Sequence, residues 1–162
     1  MPASESELFA RLESLGIETG TKRHDAMFTV EDAKRLRDHM PGGHCKSLFL
    51  KDKNGALWLV VMLEDKPLDM KAMQARLGAA RLSFGKPELM ADVLGVEPGS
   101  VTPFCVINRS AADVQVVLDS AMLAEATLNY HPLTNQATTA ISADDLLRFI
   151  TDCGHEPLIL EL

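Results

Sequence analysis

The groups with which this 162-residue chain can do chemistry are few and scattered. Lys46 stands near the head of Cys45-Lys-Ser-Leu-Phe-Leu-Lys, a run otherwise apolar enough to enter a core. A lysine there either turns inward, which is unusual for a strand of that kind, or points to solvent on the alternate face. The loop Gly95-Val-Glu-Pro-Gly-Ser-Val-Thr-Pro is dense in glycine and proline. His131 lies in the rigid corner Asn129-Tyr-His-Pro, where an imidazole is either structural or catalytic, and His24 in Lys22-Arg-His-Asp reads as a loop residue. Cys45, Cys105 and Cys153 are odd in number, far apart and without C-x-x-C spacing, which fits buried small hydrophobes. A cysteine nucleophile with His131 as its base has no local motif behind it. There is no serine elbow, phosphate-binding P-loop, H-E-x-x-H or dinucleotide loop. Residue types alone leave the reaction open.

Those groups must be positioned by a mixed set of elements. Ser4 and Glu7 form a capping box for a helix carrying Leu8, Leu12 and Leu15, which Gly16 ends. Ile17 to Thr21 reads as a short strand. Thr29 caps a second helix with acids in its first turn, and Pro41-Gly-Gly breaks the chain. Residues 45–51 and 57–63 form a hairpin about Asp52-Lys-Asn-Gly, and the near-continuous apolar second strand belongs at the centre of a sheet. Helices follow at Asp69–Leu77 and Lys86–Leu94, the latter with Pro87 in its first turn, and Arg81-Leu-Ser-Phe between them is a short strand. Strand-like stretches Phe104–Asn108, Val114–Leu118 and Thr138–Ile141 precede a last helix capped by Ser142, and Pro157-Leu-Ile-Leu closes as a strand. Helices and strands alternate without a clean βαβ period, so the expected class is α+β: one domain over residues 1–162, with a mixed, mostly antiparallel sheet surrounded by helices.

Composition narrows the setting. The chain is 46% hydrophobic and 24% charged, an ordinary globular balance with no run long enough to span a membrane. The acidic start lacks the apolar core of a secretory signal, so the cytoplasm is the expected location and no membrane partner is expected. A net charge of −7 argues against a protein that grips long stretches of phosphate, DNA included. Any RNA contact should be local, through Lys46, Lys51 and Lys53 about the hairpin and Arg76, Arg81 and Lys86 beyond it, unless these are simply solvated surface charges.

Several phrases in order along the chain carry a resemblance. They are Lys46-Ser-Leu-Phe-Leu-Lys-Asp-Lys, Arg81-Leu-Ser-Phe-Gly, Gly95-Val-Glu-Pro-Gly-Ser-Val-Thr-Pro-Phe, Asn129-Tyr-His-Pro-Leu-Thr-Asn-Gln-Ala-Thr-Thr, Asp145-Leu-Leu-Arg-Phe and Gly154-His-Glu-Pro. Together they resemble the YbaK/ProX family of aminoacyl-tRNA editing domains, and within it the free-standing alanyl-tRNA(Pro) deacylases of the ProXp-ala type. The resemblance runs from about Leu8 to the C-terminus.

It implies an ester hydrolase that edits in trans, acting on the acceptor end of mischarged tRNA for proline, with prolyl-tRNA synthetase as a further partner and no cofactor or metal. The family's signature lysine falls on Lys46 and its G-x-x-x-P loop on Gly99-Ser100-Val101-Thr102-Pro103, both at the site for the aminoacyl-adenosine end; Lys46 and Gly99 are the catalytic candidates. His131 matches the histidine beside that site. Ser47 stands where these deacylases often carry asparagine. His24 and Phe28 complete the substrate-binding candidates, with Met27 and Leu36 as further apolar pocket residues, and Arg81 and Lys86 are the candidates for the acceptor stem. The chemistry is undemanding: an activated ester needs a positioned water and donors for the oxyanion. Clearance of cysteine or serine in place of alanine, and a binding module without turnover, are the alternatives.

Overall fold

The computed structural model describes residues 2–25 and 30–162. In chain order the elements are α1 (Glu5–Ser14), β1 (Gly20–Arg23), α2 (Val30–His39), β2 (Gly43–Asp52), β3 (Leu57–Leu63), α3 (Met70–Leu77), β4 (Leu82–Phe84) and α4 (Pro87–Leu94). After two 3-10 turns, Pro103–Ile107 and Arg109–Ala111, come β5 (Gln115–Asp119), α5 (Ser120–Leu123), β6 (Thr127–Tyr130), β7 (Ala137–Ser142), α6 (Ala143–Asp152) and β8 (Leu158–Leu160). The fold is α+β, with helices flanking one mixed, largely antiparallel sheet in the order β1-β7-β6-β2-β3-β5-β8, and β4 added to β2. The pairs β2/β6, β3/β5 and β5/β8 are parallel.

The hairpin β2–β3 is the axis of the sheet. The Asp52 carboxylate accepts from the N–H groups of Asn54 and Ala56, both at 2.9 Å, and this turns the chain. β3 is central, flanked by β2 and β5, and Leu59 to Met62 are buried without interruption. Alternation divides its neighbours between two faces. Phe49, Leu59, Val61, Val116 and Leu118 join the larger core with Leu8 and Leu12 of α1 and Leu146, Phe149 and Ile150 of α6. Leu50, Val60, Met62 and Val117 join a smaller core under Met73 of α3.

Capping at Ser4 and Ser142 matches the sequence pattern, Glu7 N–H and Asp145 N–H being the donors. Three features differ from it. β1 begins at Gly20, because Ile17 N–H closes back on the Leu12 carbonyl and Ile17 is spent on the core. Phe104–Asn108 is no strand: Thr102 Oγ1 accepts from Phe104 N–H and Pro103 supplies the backbone angle of a helical first turn, so the apolar run winds into 3-10 helix. β6 was concealed by its short length, and the Asn-Tyr-His-Pro corner starts inside it. The Thr29 cap lies outside the described residues.

Asp119, fully buried at the end of β5, accepts from Lys66 Nζ at 2.9 Å and from Leu162 N–H at 3.2 Å. Asp119→Ala leaves both donors without their acceptor. Because Lys66 keeps partial access to water, a loss of about 2–3 kcal/mol is expected, read as a lower urea midpoint with an unchanged slope.

Candidate active site

The sheet is incomplete along one edge of β2. β6 pairs with it only at Gly43 and His44, and β4 only at Leu50 to Asp52. Between them the edge has no neighbouring strand, and a cavity of about 50 Å³ lies at this gap. It is lined by His44, Cys45 and Ser47 of β2, Asn129 and Tyr130 of β6, His131 and Thr138, Val101 of the glycine-rich loop, Glu64 after β3 and Leu36 of α2.

Hydrogen bonds within the lining leave acceptor atoms of His131 and Asn129 unspent. His131 Nδ1–H donates to the Ala137 carbonyl at 3.1 Å, so a neutral ring keeps Nε2 as an acceptor. Burial lowers the pKa of His131, the Ala137 bond opposes this, and His24 adds to the lowering. The two rings lie edge to face with centroids 6.5 Å apart. His24 Nδ1–H donates to Asp25 O, leaving its Nε2 to accept from the Thr138 hydroxyl at 2.8 Å. His44 likewise donates from Nε2 to Met40 O at 2.9 Å. The Asn129 amide nitrogen donates to the carbonyls of Pro41 and Gly43, both at 3.2 Å, and this sets the orientation of the amide. Its Oδ1, in a residue 2% exposed, has no hydrogen-bond partner among the described residues. A buried amide oxygen left so is short by about 1–3 kcal/mol until a donor reaches it.

Of the glycine-rich loop, Val101 alone lines the cavity. Thr102 and Pro103 are buried as the start of the 3-10 turn, and Ser100 N–H closes the loop on Glu97 O. Gly99 has φ +90°, a conformation that disfavours any side chain. The N–H groups of Gly99, Val101 and Thr102 have no acceptor among the described residues, whereas those of Phe104 and Cys105 are spent on Thr102.

Lys46 is placed differently. It alternates with Ser47 and is in register with Met62, on the sheet face of the smaller core, and it does not line the cavity. Its ammonium donates to the Lys66 carbonyl, beside the Lys66–Asp119 pair. Arg81 and Lys86 are exposed on the β4 side of the hairpin. Phe28 and Met27 lie outside the described residues. The structure thus brings together Ser47, Val101, His131 and, through Thr138, His24. It does not bring Lys46 to them.

Cysteine chemistry fits poorly. Burial raises the thiol of Cys45, the one in the cavity, to about 12, and those of Cys105 and Cys153 to about 12 and about 11. A thiol that high stays protonated near neutrality and is a weak nucleophile. Among the described residues no cluster of three or more metal-ligating side chains occurs. The sequence does not single out His44, Asn129 or Thr138 as site residues; Asn129 and Thr138 share one phrase with His131, and that is the signal that points toward them.

The profile of the aminoacyl-tRNA editing domain matches residues 24–149, which contain every residue of this cavity. The chain belongs to that family. The editing domain is 38% identical over 155 residues to prolyl-tRNA synthetase associated domain-containing protein 1 of Bos taurus, covering 93% of this chain and 90% of that protein. It is 31% identical over 156 residues to the prolyl-tRNA editing protein ProX of Acetoanaerobium sticklandii, covering 96% and 95%. A solved chain assigned as a trans-editing enzyme for prolyl tRNA synthetase shares the fold of this editing domain, with a TM-score of 0.73 at 19% identity over 100% of this chain and 99% of that one.

Proposed function

We propose that this chain hydrolyses the ester of mischarged alanyl-tRNA(Pro) in trans, holding the aminoacyl end at the gap beside β2. The observation that carries this reading is the small cavity itself, whose lining holds unspent acceptors on His131 and Asn129. A cavity so small suits a methyl side chain over a bulkier one. The three ring methylenes of proline would overpack it. Such a site works as the second sieve against an amino acid too small for the synthetase to exclude. The α-ammonium of the aminoacyl group suits Asn129 Oδ1, which otherwise lacks a donor.

In the proposed step a water oxygen attacks the ester carbonyl and His131 Nε2 takes its proton. Val101 N–H, with the Ser47 hydroxyl, donates to the oxyanion. Collapse breaks the bond to the ribose oxygen, which leaves with a proton, and free alanine and tRNA result. Lys46, on the other face of β2 from the cavity, is assigned to a phosphate of the strand where it passes the sheet edge: one carbonyl occupies its ammonium, and an ammonium has three donors. Gly99 serves by conformation, allowing the loop to carry Val101 to the cavity. Related proteins named for prolyl-tRNA editing and for association with prolyl-tRNA synthetase support tRNA for proline as the carrier and that synthetase as the partner.

The test is hydrolysis of alanyl-, seryl-, cysteinyl- and prolyl-tRNA(Pro) under single turnover. Alanine should be lost about 5- to 150-fold faster than proline, the ratio that an overpacking cost of about 1–3 kcal/mol sets. Lys46→Ala should raise KM about tenfold with a smaller change in kcat. Equal loss of alanine and proline removes the sieve, and faster loss of serine or cysteine moves the substrate. An unchanged KM in the Lys46 variant removes its phosphate role.

A further inference from the structure

Leu133 has a backbone unlike its neighbours. Among the described residues it alone, glycines aside, lies in the left-handed region, at φ +67°. That region is disfavoured for any residue with a Cβ and is an outlier for a bulky one. Strain of this kind persists only where the surroundings over-determine it, and it gathers at functional sites. Leu133 belongs to the loop 131–136, which joins β6 to β7 and begins with His131.

The contacts around the loop show what holds it. The Leu133 side chain packs against the larger core, which also takes Tyr130 and Ile141 from the two flanking strands. Pro132 is buried, and its ring restricts His131 before it to an extended backbone. At the far end Gln136 O accepts from His24 N–H at 3.0 Å, and the His131 ring closes the loop through Ala137 O at 3.1 Å. The bond from Gln136 N–H to Thr134 Oγ1, at 3.3 Å, lies after Leu133 and does not restrain it. A right-handed or extended Leu133 would relieve the strain, but it would turn the side chain away from the core and redirect the chain next to His131. Core contact and strain therefore belong together: burial of an apolar side chain bends the corner that carries the imidazole.

We infer that Leu133 is a positioning residue for His131: its side chain, held by the core, keeps the backbone left-handed and thereby sets the imidazole at the cavity with Nε2 unspent. The inference rests on the deacylase reading and deepens it. Leu133 does not line the cavity, so it acts through His131 and not on the substrate.

The test compares leucine, methionine, glycine and asparagine at position 133. It reads alanyl-tRNA hydrolysis, the pH dependence of kcat and the titration of the His131 Cε1–H resonance. Leu133→Met keeps an apolar side chain that reaches the core and should hold kcat within about twofold. Leu133→Gly and Leu133→Asn accept the left-handed backbone but lose the core contact. Both should lower kcat about 10- to 100-fold with KM nearly unchanged, the loss expected when a reacting group is misplaced by about 1 Å. In both, His131 should titrate at a higher pH than in wild type. A loosened ring loses burial, the largest cause of its lowered pKa, while loss of the Ala137 bond opposes this with a smaller effect. The acid limb of kcat should move with the resonance.

If backbone strain alone mattered, glycine and asparagine would match or exceed wild type. That result, or an unmoved His131 titration in both variants, overturns the inference and leaves the deacylase reading standing. A Leu133→Met variant as slow as the other two overturns it as well. Urea midpoints accompany each variant: if Leu133→Gly does not fold, Leu133→Asn carries the comparison. If neither folds while Leu133→Met matches wild type, the side chain serves the fold as a whole and the positioning role is rejected. A wild-type protein that does not hydrolyse alanyl-tRNA overturns the functional reading itself, and the His131 titration then still decides the positioning.

Discussion

Replacing His131 with alanine is expected to lower kcat for alanyl-tRNA hydrolysis by about 100- to 10,000-fold, the range typical of a positioned general base. The geometry behind this is specific. Nδ1–H is committed to the Ala137 carbonyl, so the neutral ring presents a lone pair at Nε2. Burial and the nearby His24 ring hold its pKa below the usual histidine value, which keeps that lone pair free at neutral pH. The sign of the pH dependence follows. The wild-type rate should be flat above about pH 6.5, the ordinary value, and should fall only as pH drops through the lowered pKa and the ring takes up a proton. Stability should respond in the same direction. In the unfolded chain His131 regains its ordinary pKa and binds a proton first, so stability is fully present above about 6.5 and declines as pH is lowered below it. His155, lowered by burial and partly raised again by the hydrogen bond its ring makes to the Val114 backbone, adds to that decline. His131→Asn should separate the two roles. The amide can still donate to Ala137 and keep the fold, but it cannot accept a proton, so kcat should stay low and its acid limb should vanish. A variant with wild-type kcat, or an acid limb that persists in His131→Asn, assigns the base to another group.

Gly42→Ala should have the largest effect on stability, about 3 kcal/mol or more. Gly42 has φ +103°, and a Cβ there would stand 2.7 Å from the backbone carbonyl oxygen of Thr127 and 3.0 Å from its Cβ. Strain of the conformation and collision with backbone add together, and neither is relieved by a side-chain rotation. The site matters because Gly42 and Thr127 stand at the entry to the two-residue ladder that joins β2 to β6. Pushing these strands apart should widen the gap that holds the cavity, so loss of stability should come with loss of discrimination against proline. A urea midpoint well below wild type, with alanyl and prolyl esters cleaved at closer rates, is the expected pair of results. A midpoint within error of wild type would mean that the strands yield without cost, and the cavity would then not depend on their spacing.

Local chemistry made much of the molecule legible before any tertiary contact was known. Ser4, Ser142 and Asp52 act within three or four residues of themselves, so cap and turn follow from residue type and spacing. The apolar continuity of β3 specifies a central strand because both its faces must be covered. The ordered phrases around Lys46, Gly99–Pro103 and His131 specified the family, now matched over residues 24–149. What lies beyond local reach was decided by tertiary structure. Phe104 to Ile107 is apolar enough for a strand; the neighbouring Thr102 and Pro103 favour a 3-10 turn, and burial of Phe104, Cys105 and Val106 in the larger core settles it. Lys46 and Ser47 are neighbours in the chain, yet a pleated strand sends neighbours to opposite faces. Which face meets the cavity depends on the register with β3 and on where β6 stops pairing. The cavity is bounded by residues up to 102 positions apart in the chain, from Leu36 to Thr138, and such closure is a property of the packed sheet. Residue types and order determined what kind of protein this is; the two-residue length of one strand pairing decided where its site can be.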